Sequence, residues 1–359
     1  MSRFSTIVRR DISQFFRLKE SDRPWHIALI AAISTGLSLA SGYYMGRMEY
    51  GTLACMGCLV ILYLPNTPLA HRMMTMLACS FGFIFSYAIG LTFSFHPYLS
   101  ALAIGTFSFG INWTTNYYRL PPPRNFFFIM LASIASCAPF DVTEIPLRTG
   151  LIACGTIIAC MVAFAYSLIM IPVQDLKPAA APAAKKVYAN FSESAIIGLF
   201  IFLSLCVAHL FHFTNPYWIP ISCLAIMQGL NVALVRQRSF HRITGTTVGM
   251  GLSWLLLQFR PDVGGICLII LALQFTGEFF VKRHYALAMV FYTPMTLFLA
   301  ELGNRTEMNA DTLVKARLID IVIGSLIGVI GGLVLHNRKL HRAAEIRMRR
   351  SRMTSRRKQ

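Results

Sequence analysis

The sequence predicts an all-α integral membrane protein of about twelve transmembrane helices, built as two parallel six-helix repeats with both termini cytoplasmic. Three observations lead there. The 359 residues are 55% hydrophobic and 13% charged, with mean hydropathy +0.57, whereas a soluble chain carries about 25% charged residues. Twelve apolar stretches approach the roughly 20 residues that cross a bilayer, the lower limit being about 17. Basic residues also concentrate on alternate connecting segments.

The N-terminal arm, 1–23, is polar and basic. Its Phe4, Ile7, Val8, Ile12, Phe15 and Phe16 fall close to a helical stripe, with Arg9, Arg10 and Arg17 between them. It reads as an amphipathic helix on the cytoplasmic membrane surface, a solvated tail being the plainer alternative. The short apolar core and small-residue cleavage site of a secretory signal are missing from it. The first repeat, 24–173, holds spans at 24–45, 50–65, 73–94, 97–117, 124–140 and 149–171; the second and fifth are short and are expected to be tilted or broken. The Ala/Pro-rich segment 174–192 reads as a short cytoplasmic linker. The second repeat, 193–336, holds spans at 193–212, 216–235, 242–259, 263–280, 284–300 and 314–335, and a basic cytoplasmic tail follows at 337–359.

With the N-terminus inside, 27 of the 33 Lys and Arg fall in cytoplasmic segments, as the positive-inside rule demands. In bacterial terms this is a multi-pass inner-membrane protein. The tail "RKLHRAAEIRMRRSRMTSRRKQ" suits anionic lipid headgroups, at about 1 kcal/mol per basic residue. No aromatic platform accompanies it, so nucleic acid is not expected as a partner.

The chain looks duplicated. Tyr50 opens a stretch parallel to the one at Tyr217. His71-Arg72 precedes the third span as His241-Arg242 precedes the ninth; Arg124 pairs with Arg283, and Arg148…Gly155 with Arg317…Gly324. An even number of spans per repeat inserts both halves in one orientation, with a pathway expected between them. Small residues four apart (Gly82, Ser86, Gly90; Gly245, Gly249; Gly324, Gly328, Gly332) predict close helix contacts.

Polar groups inside spans are candidate functional residues. Gln274 and Glu278 share one face of the tenth span, and Asn112 and Asn116 occupy the matching positions of the fourth. Lys282 is the plain i,i+4 partner for Glu278. Asp320 lies one turn beyond Arg317 on the twelfth span, either as a proton carrier or as the partner of that arginine. Gln228 and Asn231, placed near the bilayer middle of the eighth span, suit a carboxylate or ring substituent, or else serve as glue between helices. Tyr217 and Trp218 read as interfacial anchors, and Pro220 as a helix start.

Chemistry-bearing motifs of enzymes are missing: there is no G-x-S-x-G, P-loop or H-E-x-x-H. No cofactor is implied. Cys55-x-x-Cys58 reads as two small apolar residues on a buried helix. His209-x-x-His212 has ligand spacing without an acidic or cysteine partner nearby, so no metal site is expected. Nine cysteines in apolar runs do not make a disulfide framework.

The order "PYWIPISCLAIMQG", "RQRSFHRITGTTVGMGL", "FYTPMTLFLAE" and "ARLIDIVIGSLIGVI" resembles FUSC proteins, the fusaric acid resistance and aromatic acid exporter group, over roughly residues 190–335. The resemblance implies export of aromatic or other organic carboxylates, with a periplasmic membrane-fusion protein as partner. It places Trp218, Pro220, Gln228, Pro294, Arg317 and Asp320 at the family's recurrent positions, Pro294 joining the helix-start and anchor residues. The large cytoplasmic domains of bigger members are reduced here to a linker and a tail. The resulting expectation is a proton-coupled exporter of small organic anions. A passive anion channel of the same fold is the alternative, since plant anion channels resemble the same half-repeat, and a non-transporting membrane scaffold is a third reading. A homo-oligomer is compatible with all three.

Overall fold

A computed structural model describes residues 23–170, 187–303 and 310–337 of the chain. The N-terminal arm up to residue 22, most of the linker and the tail beyond residue 337 lie outside the described residues, so the amphipathic and lipid-facing expectations for them fall there too.

The described residues form twelve α-helices and no strand. In chain order they are α1 (Trp25–Tyr44), α2 (Met48–Cys58), α3 (Leu69–Thr92), α4 (Pro97–Tyr117), α5 (Phe126–Ser136), α6 (Glu144–Met170), α7 (Val187–Leu210), α8 (Trp218–Met227), α9 (Val232–Gln258), α10 (Val263–Phe280), α11 (Tyr285–Gly303) and α12 (Ala310–Leu335). Each matches one expected span in order. Six segments among the described residues are long and apolar enough to cross a membrane: Trp25–Tyr44, Leu69–Thr92, Glu144–Met170, Asn190–Leu210, Val263–Phe280 and Arg317–Leu335. The chain is therefore a multi-helix membrane protein, with fewer full-length apolar helices than the twelve expected.

The short helices have local causes. α2 tightens into a 3-10 turn over Leu59–Tyr63, and α5 has eleven residues. The eighth span, expected as 216–235, is broken: α8 ends at Met227 and α9 begins at Val232. α3 and α9 start before their expected positions. His71-Arg72 and His241-Arg242, expected in loops, thus lie on helices, and Arg72, His241 and Arg242 are buried. The Leu and Val residues that follow Asn231 simply extend α9 toward its N-terminus.

The chain divides into two compact units, and each draws on both halves of the sequence. Among the described residues, one comprises those of 23–87, 141–170 and 237–321; the other comprises those of 88–140, 187–236 and 322–337. In the first, α1 packs on α2, α6 and α10, α2 on α6 and α11, and α10 on α11. Its core gathers Leu39, Cys55, Ile270, Leu273, Met295 and Phe298. In the second, α4 packs on α5 and α7, and α8 on α5 and α7, around Ile104, Ile129, Ile201, Leu205 and Leu224.

Glycines let backbones touch where lipid gives apolar surfaces no reason to associate. A Cβ on Gly324 would come within 2.5 Å of the Ile219 carbonyl of α8, and one on Gly328 within 2.7 Å of that of Cys223. In the other unit, Gly57 of α2 and Gly155 of α6 face each other across an equally tight crossing. Pro294 is a correction to the expected helix starts: it lies inside α11. As a proline it cannot donate to the Val290 carbonyl four residues back, and that carbonyl faces Gly249 of α9, 2.8 Å from where a Cβ would sit.

Candidate functional site

The polar residues picked out on α4 and α10 sit in two clusters, one in each unit. In the first unit Gln274 and Glu278 are 2% and 5% exposed. Glu278 accepts from Arg23 Nη1 at 2.9 Å through Oε2, and from the Tyr292 hydroxyl of α11 through Oε1. The recorded ion pair is thus with Arg23, at the entry to α1, and not with Lys282 as the spacing suggested. Gly277 makes room for the Tyr292 ring, whose atoms lie 2.6 Å from where its Cβ would be.

In the second unit Asn112 and Asn116 join a chain of amides running one way. Gln228 Nε2 donates to Asn125 Oδ1 at 3.2 Å and to the Pro123 carbonyl at 3.4 Å. Asn125 Nδ2 donates to Asn112 Oδ1 at 3.1 Å, and Asn112 Nδ2 to Ser194 Oγ at 2.9 Å. Ser194 Oγ then donates to Asn190 Oδ1 at 3.5 Å. Asn116 Nδ2 donates to Asn190 Oδ1 at 3.1 Å and to Glu193 Oε2 at 3.2 Å. Asn112, Asn125, Asn190 and Ser194 are buried. Asn112, Asn125 and Asn190 each use their oxygen and their nitrogen on different neighbours, an arrangement in which hydrogen bonds reinforce one another.

Gln228 therefore does not project from the middle of a helix. It is the C-cap of α8, and the break that follows is fastened residue by residue. The Gly229 carbonyl accepts from His336 Nε2 at 2.7 Å. Asn231 is exposed and caps α9, its Oδ1 accepting from the Leu234 N–H at 2.9 Å. Tyr217 and Trp218 are partly buried at the start of α8, their rings 5.1 Å apart and tilted at 48°, with Pro220 in the first turn.

Asp320 is 1% exposed, and among the described residues neither of its oxygens has a hydrogen-bond partner. The ion pair expected with Arg317 is not formed among the described residues; Arg317 Nη2 instead donates to Thr296 Oγ1 of α11 at 3.1 Å. Two buried arginines went unremarked as site residues. Arg72 donates to the Thr67 carbonyl at 2.7 Å, Asn66 Oδ1 at 2.9 Å and Ser167 Oγ at 3.4 Å. Arg242 donates to the Tyr285 hydroxyl at 3.2 Å. The recurrent His-Arg pair was the signal for both. Asn125 had one as well, since Arg124-Asn125 mirrors Arg283-His284, whereas nothing in the linker composition marks Asn190.

Among the described residues no group of three or more His, Cys, Asp or Glu side chains is placed to hold a metal ion. Cys55 and Cys58 are buried free thiols directed at the Thr35 and Ser34 carbonyls, at 3.5 and 3.3 Å.

Residues 203–331 match the family model described as Fusaric acid resistance protein-like. The chain is 36% identical over 141 residues to the uncharacterized membrane protein YvaC of Bacillus subtilis (strain 168), covering 39% of this chain and 22% of that protein. It is 28% identical over 123 residues to the uncharacterized protein YhfK of Escherichia coli (strain K12), covering 34% of this chain and 17% of that one. The match thus spans about a fifth of the length of these curated relatives. No solved structure matches. The α8 start, the α9 basic turn, the Pro294 helix and the Asp320 helix all fall within the matched segment, over which the chain is similar to fusaric acid resistance protein-like proteins.

Proposed function

We propose that the protein is an inner-membrane transporter that exports small organic carboxylates, aromatic ones among them, in exchange for protons. One observation carries the coupling: Asp320, a carboxyl group buried on an apolar helix without a hydrogen-bond partner among the described residues. An ionised carboxylate without a hydrogen-bond partner in such surroundings is costly, even with Arg317 one turn away, which suits this group to exchanging a proton. Glu278 suits that task less well, because Arg23 and Tyr292 already hold its two oxygens. The family description supports the choice of cargo, since fusaric acid is an aromatic carboxylic acid.

The topology we propose has both termini in the cytoplasm and two parallel six-helix repeats. The distribution of Lys and Arg supports the first part. The second is supported by the recurrence of the same helix pairings, α4 on α7 as α10 on α1, and α5 on α8 as α11 on α2. In this orientation Glu278 and the Asn112–Asn116 cluster lie toward cytoplasmic helix ends, where substrate enters. A periplasmic membrane-fusion protein would carry the product onward.

Efflux of benzoate from proteoliposomes under an imposed pH gradient tests the proposal. The wild-type protein should concentrate benzoate, and Asp320→Asn should lose gradient-driven accumulation by at least tenfold. Efflux that ignores collapse of the gradient would make the protein a passive channel, and no flux of any organic acid would leave a scaffold.

A further inference from the structure

We propose that Arg242, Tyr285 and Arg238 form an oxyanion subsite that receives the carboxylate of a small organic anion; this deepens the transport reading and rests on it. The Tyr285 hydroxyl accepts from Arg242 Nη1 at 3.2 Å, and Arg238, one turn earlier on α9, lies 5.6 Å over the Tyr285 ring. One tyrosine is thus shared by two guanidinium groups. The hydroxyl that accepts from Arg242 has its own proton to give, and the planar guanidinium carries N–H groups at the spacing of a carboxylate's two oxygens.

The subsite is built in advance. Gly245, three residues after Arg242, faces the carbonyl of Ala286, the residue after Tyr285. This close crossing fixes the two donor-bearing turns side by side. His284 accepts from the Leu287 N–H through Nδ1 at 3.2 Å and so caps α11 just before Tyr285. Its ring stacks on His241 at 5.2 Å with an interplanar angle of 11°, tying that cap back to α9. Met289 Sδ lies 3.5 Å from Arg242 Nη1 and supplies a polarizable wall against which an aromatic ring can pack. Arg242 is buried, while Arg238 and Tyr285 are partly exposed. The site therefore has a floor and an open side.

A carboxylate dissolved in the cytoplasm and the phosphate of a lipid headgroup share this chemistry, and the test separates them. Binding of benzoate is measured by equilibrium dialysis on the full chain in nanodiscs of phosphatidylcholine, with parallel discs containing phosphatidylglycerol. The wild-type protein should bind benzoate saturably in phosphatidylcholine. Tyr285→Phe should weaken binding about tenfold, the loss expected of one charge-assisted contact, and Arg238→Gln should weaken it by a similar factor. Both residues are partly exposed, so each variant can be checked for a wild-type melting transition before binding is read. Benzoate binding that neither variant weakens would overturn the subsite while leaving the exporter intact. Benzoate binding abolished by phosphatidylglycerol, with variant-sensitive lipid retention, would reassign the site to a headgroup and overturn the organic-anion assignment. Absence of saturable benzoate or acetate binding would overturn it outright. Variant-sensitive binding in a protein that moves no organic acid in proteoliposomes would instead sink the transport reading and keep the site.

Discussion

At Glu278 one carboxylate takes a guanidinium on one oxygen and a phenol on the other, which is the arrangement a structural ion pair needs to offset its desolvation. Glu278→Gln should therefore cost stability, about 2 kcal/mol for the loss of a charged hydrogen bond, visible as a lowered midpoint in thermal unfolding, while leaving the proton dependence of flux in place. A flux that loses its pH dependence in Glu278→Gln would move the coupling role from Asp320 to this residue. The amide chain makes a second distinction possible. Gln228 lies at its end and donates inward to Asn125, whereas Asn125 is buried in its middle. Gln228→Ala should then be mild, below about 1 kcal/mol, and Asn125→Ala severe, about 2–3 kcal/mol, because it strands both Asn112 and Gln228. Equal losses in denaturant titrations of the two variants would mean that the chain does not act as a unit.

Elements were legible where hydropathy alone decides. α4 and α10 begin and end at the expected residues, 97–117 and 263–280, since both are apolar runs bounded by loop residues. α8 ends earlier than expected because the apolar composition resumes at Val232 after Gln228, Gly229 and Asn231, which hides the break in a hydropathy reading. Gly229 and the capping Asn231 are the local signs of the break, and contacts from distant residues, Asn125 to Gln228 and His336 to Gly229, fasten it. The sites divide in the same way. That Asn112, Asn116, Gln274 and Glu278 matter could be read from their cost in lipid, but their partners Asn190, Ser194, Arg23 and Tyr292 come from other helices and only the fold brings them in. The glycine stripes were readable as contacts but not as to which helix they meet. Gly324 proves to meet α8. Gly324→Leu must push the α8 backbone away, so it should destabilise by about 2 kcal/mol or more, with Gly110→Leu, whose Cβ would meet nothing within 4 Å, as the tolerated control. Similar melting of the two variants would argue against the α12–α8 crossing.

On the scale of the whole molecule, the two compact units each take helices from both halves of the sequence. The recurrence of Arg72 and Arg242 with their neighbours supports the expectation of a repeat, but the sharing of helices between halves was not readable, because hydropathy says where a helix lies in the chain and not whom it packs against. Residues 1–173 and 174–359 expressed separately should each be unstable, and their co-expression should restore a complex that co-purifies and resists proteolysis. A stable, protease-resistant fragment from either half alone would contradict the sharing.

That sharing also has a meaning in time. A ribosome delivers α1 and α2 long before α10 and α11, the helices they pack on, and α4 and α5 before α7 and α8. The nascent chain must keep the polar ends of its early helices, Arg23 among them, waiting in the membrane until the second half emerges. Translation pauses or insertase contacts in the 171–186 interval would set how long Arg23 remains without Glu278, so the yield of folded protein should depend on elongation speed across this stretch.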